Sequence, residues 1–199
     1  MFDSFNRRIN YLRISVTDRC NLRCEYCMPA ERIQLIPREQ LMTFKKMCEI
    51  TRMAVDMGVT KVRITGGEPL VRRRIVELVK MIASIDGVED FGMTSHAIAL
   101  PQFAQPLFDA GLHRLNISLD TVDPQRFREL TRCGELADAV AGIDAAIAAG
   151  FDPVKLNCVI EESSDEPDAR GVSAFGAERG LQVRFIRKMN LATGEFWQV

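Results

Sequence analysis

Residues 12–28 read Leu-Arg-Ile-Ser-Val-Thr-Asp-Arg-Cys-Asn-Leu-Arg-Cys-Glu-Tyr-Cys-Met, an alternating run that leads directly into three thiols. Apolar Leu12, Ile14 and Val16 alternate with polar neighbours as far as Thr17, which predicts a β-strand. Cys20, Cys24 and Cys27 follow at the spacing C-x3-C-x2-C. Soft sulfur ligands at that density suit an iron–sulfur cluster or zinc. Three thiolates can hold a metal centre but cannot close it. A [4Fe–4S] cube takes four cysteines, so three leave one iron free for a small-molecule ligand. A structural zinc site would draw a fourth ligand from elsewhere in the chain.

The same alternation of strand and helix continues outward from this loop. Thr43 is placed to cap a helix over Phe44 to Met57, with Gly58 as its stop. Val59 to Thr65 reads as a second strand, ending in Gly66-Gly67-Glu68-Pro69. Ile75, Leu78, Val79, Ile82 and Ile85 share one helical face. Asp90 to Thr94 forms a short third strand, and Pro101 to Ala110 a helix that Pro106 should bend. Arg114 to Leu119 is the fourth strand. Asp123 to Thr131 and the stripe Leu136, Val140, Ile143, Ile147 are helical. Val154 to Ile160 is the fifth strand, Glu161 to Arg170 an acidic loop, Ala169 to Arg179 a helix and Leu181 to Ile186 the sixth strand. Strands alternating with helices over short connections predict a parallel, right-handedly wound sheet. A complete (β/α)8 barrel takes about 250 residues. The 199 residues here fit an incomplete (β/α)6 TIM-like barrel, with an open doubly wound sheet as the alternative. Both architectures bind ligands at the carboxyl ends of the strands, where the cysteines, the glycines and Ser118 fall.

Composition narrows the class. At 47% hydrophobic with a net charge of -1, the chain can build one substantial core and shows no bulk attraction to nucleic acid or membrane surfaces. Apolar runs fall short of the roughly 20 residues a membrane span needs, and Met1 to Asn10 is polar without a secretory core, so the expectation is cytoplasmic. Six cysteines in a chain of this size do not read as a disulfide framework. Cys48 shares a helical face with Phe44, Thr51 and Val55 and is expected in the core. Cys133 and Cys158 are isolated, and isolated cysteines usually behave as small buried hydrophobes.

Two segments, Arg13-Ile14-Ser15-Val16-Thr17-Asp18-Arg19-Cys20-Asn21 through Cys27-Met28-Pro29 and Arg63-Ile64-Thr65-Gly66-Gly67-Glu68-Pro69-Leu70, resemble the GTP 3′,8-cyclase family of the radical S-adenosylmethionine (SAM) enzymes. The resemblance runs from about Tyr11 to Met189, through Asn116-Ile117-Ser118-Leu119-Asp120 and Arg184-Phe185-Ile186. It implies a radical SAM lyase acting in molybdenum cofactor biosynthesis. Cys20, Cys24 and Cys27 would hold a [4Fe–4S] cluster whose open iron binds SAM. Tyr26, Gly67, Ser118 and Met189 match SAM contacts, and Arg13, Arg63, Thr94 and Lys155 match GTP contacts. Three cations beside a triphosphate make physical sense, because charge-assisted bonds to phosphate are strong. The resemblance further implies an electron donor such as flavodoxin or ferredoxin and allows a homodimer, with no nucleic-acid or membrane partner.

The sequence departs from the family pattern at three places. Thr94-Ser95-His96-Ala97 stands where the family has roughly Thr-Thr-Asn-Gly, and Arg187 stands where an acidic residue is usual. Val199 ends the sequence before the C-terminal region in which the family holds a second cluster, so 1–199 is expected to be a radical SAM core domain. Arg72, Arg73 and Arg74 read as a mostly solvated face at a helix start. The other readings are a radical SAM maturase acting on a peptide or other small molecule, and a truncated, non-catalytic iron–sulfur or zinc domain.

Overall fold

The computed structural model describes residues 2–28 and 34–188. Six parallel strands form one sheet in the sequential order β1-β2-β3-β4-β5-β6. They are β1 (Tyr11–Ser15), β2 (Lys61–Thr65), β3 (Asp90–Ser95), β4 (Arg114–Ser118), β5 (Val154–Ile160) and β6 (Gln182–Arg187). Between them run α1 (Phe44–Asp56), α2 (Ile75–Ala83), α3 (Leu100–Asp109), α4 (Pro124–Thr131), α5 (Leu136–Ala148) and α6 (Pro167–Glu178). A doubly wound sheet would reverse its strand order partway across. This order never reverses, and β1 and β6 stay unpaired with each other, so the sheet is an open (β/α)6 partial barrel.

Side-chain alternation explains the curl. Ile14, Val62, Ile64, Phe91, Met93, Leu115, Ile117, Leu156 and Cys158 are buried in the core cluster with residues of α2, α3, α5 and α6. Their strand neighbours face the other way: Tyr11 and Arg13 on β1, Arg63 on β2, Thr94 on β3, Arg114 and Ser118 on β4, Asn157 on β5 and Arg184 on β6 all line one cavity. The sheet therefore bends until its first and last strands flank the same space. The main apolar core lies on the outer, helix-covered face, at roughly 1.5–3 kcal/mol for each fully buried large side chain.

Local chemistry sets the element ends. Thr43 caps α1 by accepting the Lys46 amide at 3.2 Å, and Asp123 caps α4 by accepting the Arg126 amide at 2.7 Å. Leu100–Asp109 stays one helix through Pro106. The acidic loop is shorter than expected. Pro167 occupies the first turn of α6, where its fixed φ suits a helix start, so the helix begins two residues before Ala169. The Glu166 carboxylate ties the loop by accepting the amides of Glu161, Glu162 and Ser163 at 3.1, 2.7 and 3.0 Å. The arginine run also needs correction. Arg72 donates to the Val16 and Met42 carbonyls at 2.9 and 3.0 Å and stacks over Phe44, so it clasps three segments and is no solvated face. Arg74 pairs with Glu77.

Candidate functional site

The cysteine loop leaves the carboxyl end of β1 and is held from two sides. On the first, Val16 continues the ladder onto the Thr65 carbonyl at 2.9 Å, and the Gly66–Glu68 turn then lies against Thr17–Arg19. Gly67 N donates to Thr17 O at 2.7 Å and Glu68 N to Arg19 O at 2.8 Å. A Cβ at Gly67 would run into the Arg19 carbonyl. Backbone-on-backbone contact is thus what the glycine pair permits here, more directly than approach to a ligand. Glu68 is 1% exposed, with Oε1 accepting from the Leu70 amide and the Ser95 hydroxyl and Oε2 accepting from the His96 amide.

On the second side, the C-terminal end of α4 grips the loop itself. Arg23 N donates to Thr131 O at 3.0 Å and Glu25 N to Leu130 O at 2.9 Å. Arg132 reaches the Arg23 and Met28 carbonyls, and the Cys133 thiol reaches the Asn21 carbonyl at 3.3 Å. Cys133 is exposed, unlike the buried hydrophobe expected; Cys48 and Cys158 are buried. Cys27 N and Met28 N both donate to Cys24 O, making a single helical turn. That turn brings Cys24 and Cys27 to one side, three residues apart.

Cys20 and Cys24 both feel the Cys27 sulfur. Burial, then neighbouring charge including Cys27, pushes the Cys20 thiol up. Burial, then Asp120 and the other two cysteines, pushes Cys24 up to about 12. Among the described residues, no three His, Cys, Asp or Glu side chains converge on a single-ion site. A lone tetrahedral zinc needs such convergence, with Zn–S of about 2.3 Å. A [4Fe–4S] cube takes each thiolate on a separate iron, so it does not require the three sulfurs to meet at one ion.

Tyr26, between Cys24 and Cys27, turns its hydroxyl to Asp120 Oδ2 at 2.6 Å, while Asp120 Oδ1 accepts the Val159 amide at 2.8 Å. Both groups line the inner cavity of about 480 Å³. Of the residues singled out from sequence, Arg13, Tyr26, Arg63, Thr94 and Ser118 line that cavity together. Lys155 is not among the lining residues but lies on the same face of β5 as Asn157, its ammonium pKa lowered by burial first and then by Arg184, Arg114 and Arg63. Gly67 lies in the turn beside the cysteine loop, and Met189 falls outside the described residues. Arg187 is exposed at the end of β6.

Three charged lining residues were given no role from sequence: Arg114, Asp120 and Arg184. The two-residue period would have found them, since Arg114 and Asp120 lie four before and two after Ser118. Arg114 is paired with Asp90 at 2.6 Å. Arg63 is 8% exposed; its guanidinium lies over the Tyr11 ring at 5.7 Å, Nη1 makes a long 3.5 Å contact to the Thr94 hydroxyl, and Nε has no hydrogen-bond partner among the described residues. The cavity is therefore cationic, with more guanidinium charge than protein carboxylate to meet it.

Residues 14–166 match the model of the Radical SAM superfamily. The GTP 3′,8-cyclase of Pseudomonas putida (strain W619) is 49% identical over 191 residues, covering 96% of this chain and 57% of that protein. The GTP 3′,8-cyclase of Pseudomonas syringae pv. syringae (strain B728a) is 48% identical over the same shares. The chain thus spans a little over half the length of these relatives. Among solved structures, Streptococcus suis SuiB bound to S-adenosylmethionine superposes with a TM-score of 0.71 at 19% identity, covering 92% of this chain and 42% of that one. Methylornithine synthase (PylB) gives 0.70 at 18%, covering 90% and 53%. With a family match across three quarters of its length and the partial barrel these enzymes share, the chain belongs to the radical SAM superfamily.

Proposed function

We propose that this chain carries the radical-generating core of a GTP 3′,8-cyclase, converting GTP to 3′,8-cyclo-7,8-dihydro-GTP in molybdenum cofactor biosynthesis. The superfamily's cofactors are a [4Fe–4S] cluster and SAM, which together supply a 5′-deoxyadenosyl radical on one-electron reduction. Cys20, Cys24 and Cys27 would hold the cluster, and no fourth cysteine lies in their loop, which keeps one coordination position for SAM. Tyr26 and Ser118 line the space beside that loop and would orient SAM, with Gly67 at the adjoining turn. Met189 stays assigned to SAM by resemblance alone.

The observation that carries the substrate reading is the shared cavity. Arg13, Arg63 and Thr94 open onto the same space as Tyr26 and Ser118, with Arg184 beside them and Lys155 within electrostatic reach of Arg184, Arg114 and Arg63. A polyanion such as a nucleoside triphosphate meets the unpaired guanidinium charge there, and a neutral peptide segment would leave it unmet. With phosphates held by these cations, the sugar is directed toward the cysteine end of the cavity, where hydrogen abstraction from C3′ would occur. The six cysteines are all free thiols, which suits the reducing cytosol and an electron donor of the flavodoxin or ferredoxin kind. Among the described residues no helix is long and apolar enough to cross a membrane.

The test is anaerobic reconstitution with iron and sulfide, followed by dithionite, SAM and GTP. The reading expects 5′-deoxyadenosine, with the cyclised nucleotide appearing when the chain is joined to the C-terminal region its relatives carry. Deoxyadenosine without cyclised product in both forms would overturn the GTP assignment and favour another substrate.

A further inference from the structure

His96 stands where the family resemblance expects asparagine, and both of its ring nitrogens have polar neighbours. Nε2 lies 2.8 Å from Asn21 Oδ1, and Nδ1 lies 3.3 Å from the Ile98 amide, which it shares with the His96 carbonyl at 3.1 Å. Asn21 Oδ1 can only accept, so Nε2 is the ring nitrogen assigned the hydrogen that meets it, and a bare Nδ1 is compatible with the shared Ile98 N–H. Flipping the Asn21 amide would require the opposite tautomer and set Nδ1–H against Ile98 N–H, so the carbonyl-inward orientation is the consistent one. His96 also donates its backbone N–H to Glu68 Oε2 at 2.9 Å, and its Nε2 sits 3.4 Å from that same oxygen. Asn21, His96 and Glu68 thus form one chain of contacts. It joins the segment between Cys20 and Cys24 to the turn containing Gly67, separately from the backbone bonds through Thr17 and Arg19.

We infer that His96 is a positioning residue that pins the Cys20–Cys24 segment to the Gly66–Glu68 turn and so governs how firmly the cluster is retained. The inference rests on the assignment of the three cysteines to the cluster. The link is a ring donor of fixed reach, and that reach can be tested chemically. Glutamine places its amide nitrogen near the position of Nε2 and can donate to Asn21. Asparagine ends near Nδ1 and falls short. Phenylalanine keeps the ring volume and loses both bonds. Asn21 is exposed, so its removal breaks the link without opening the core.

The experiment compares the reconstituted wild type with His96→Gln, His96→Asn, His96→Phe, Asn21→Ala and the His96→Phe/Asn21→Ala double variant. Iron release to an excess of ferrous chelator is followed optically, and the reduced cluster is examined by electron paramagnetic resonance with and without SAM. One hydrogen bond of ordinary net strength corresponds to about a fivefold rate change. The single variants at Asn21 and the Asn and Phe variants at His96 should release iron about fivefold faster. The double variant should be no faster than either single, and His96→Gln should stay within about twofold of wild type. Wild-type release from Asn21→Ala, or additive effects in the double variant, would overturn the inference. A wild type that takes up no four-iron cluster would instead overturn the proposed function, and this inference with it.

Discussion

Tyr26 donates its hydroxyl hydrogen to Asp120 across 2.6 Å, closing a contact between the cysteine loop and the end of β4 from residues 94 apart in sequence. Asp120 is half-buried, its pKa raised chiefly by loss of solvent, and its other oxygen holds the Val159 amide. The cysteine loop is therefore fixed to the sheet at a point beyond its own strand.

That contact yields the first prediction. Asp120→Asn can present its amide NH2 to the Tyr26 oxygen and its carbonyl to Val159 N, so SAM affinity should stay within about twofold. Asp120→Ala leaves two donors unsatisfied and should cost about 1–3 kcal/mol of stability. Tyr26→Phe should weaken SAM binding about fivefold to tenfold, the worth of roughly one hydrogen bond. Denaturant unfolding and calorimetric titration of SAM onto the reconstituted protein read both effects.

Arg63 offers a stability–function trade. Burial foremost lowers its guanidinium pKa; Tyr11 partly offsets this, and Arg114 and Arg13 add to the lowering. A cation held where its charged form is disfavoured opposes folding throughout the neutral range, because it stays ionised in both states. Arg63→Met should raise stability by about 1 kcal/mol, or roughly 2–4 °C in Tm for a chain of this size. It should also weaken binding of GTP or inorganic triphosphate at least tenfold. Thermal unfolding with and without the anion tests both directions, and a destabilised variant would contradict the unpaired-charge account.

Arg72 and Arg73 are neighbours with different roles. Arg72→Ala removes two bonds to carbonyls and the stack on Phe44, for a loss of about 1–2 kcal/mol. Arg73→Ala should stay within about 0.5 kcal/mol, as surface substitutions usually do. Paired urea melts would separate them.

At Gly67 the constraint is steric. Gly67→Ala drives a methyl group into the Arg19 carbonyl, and relieving it by a backbone shift should cost about 1–3 kcal/mol. The shifted segment is the one that delivers Cys20, so iron bound per chain after reconstitution should fall in the same variant.

The barrel was legible in the sequence because its signals are local. Alternation in Leu12 to Thr17, the Ile75–Ile85 stripe and the glycine stops each depend on a few adjacent residues. Strand and helix ends moved by one or two residues, at α6 because of the early Pro167. The cysteine triplet was equally plain, since its spacing is its chemistry. What the sequence could not display were partners brought together by the winding: Tyr26 with Asp120, Asn21 with His96, and Cys133 with the Asn21 carbonyl. His96 was read as a departure from the family pattern, and only the folded chain gives it neighbours. Arg72 looked solvated because Val16, Met42 and Phe44 lie far from it in sequence.

The central claim is that Cys20, Cys24 and Cys27 hold a cluster at which SAM is cleaved. The most direct measurement is 5′-deoxyadenosine formed per chain by the anaerobically reconstituted, dithionite-reduced protein, beside Cys24→Ala treated identically. The account predicts deoxyadenosine from the wild type only, with Cys24→Ala keeping the far-ultraviolet circular dichroism of the wild type while binding no four-iron cluster. A wild type that makes no deoxyadenosine, or a Cys24→Ala variant that makes as much, would contradict it.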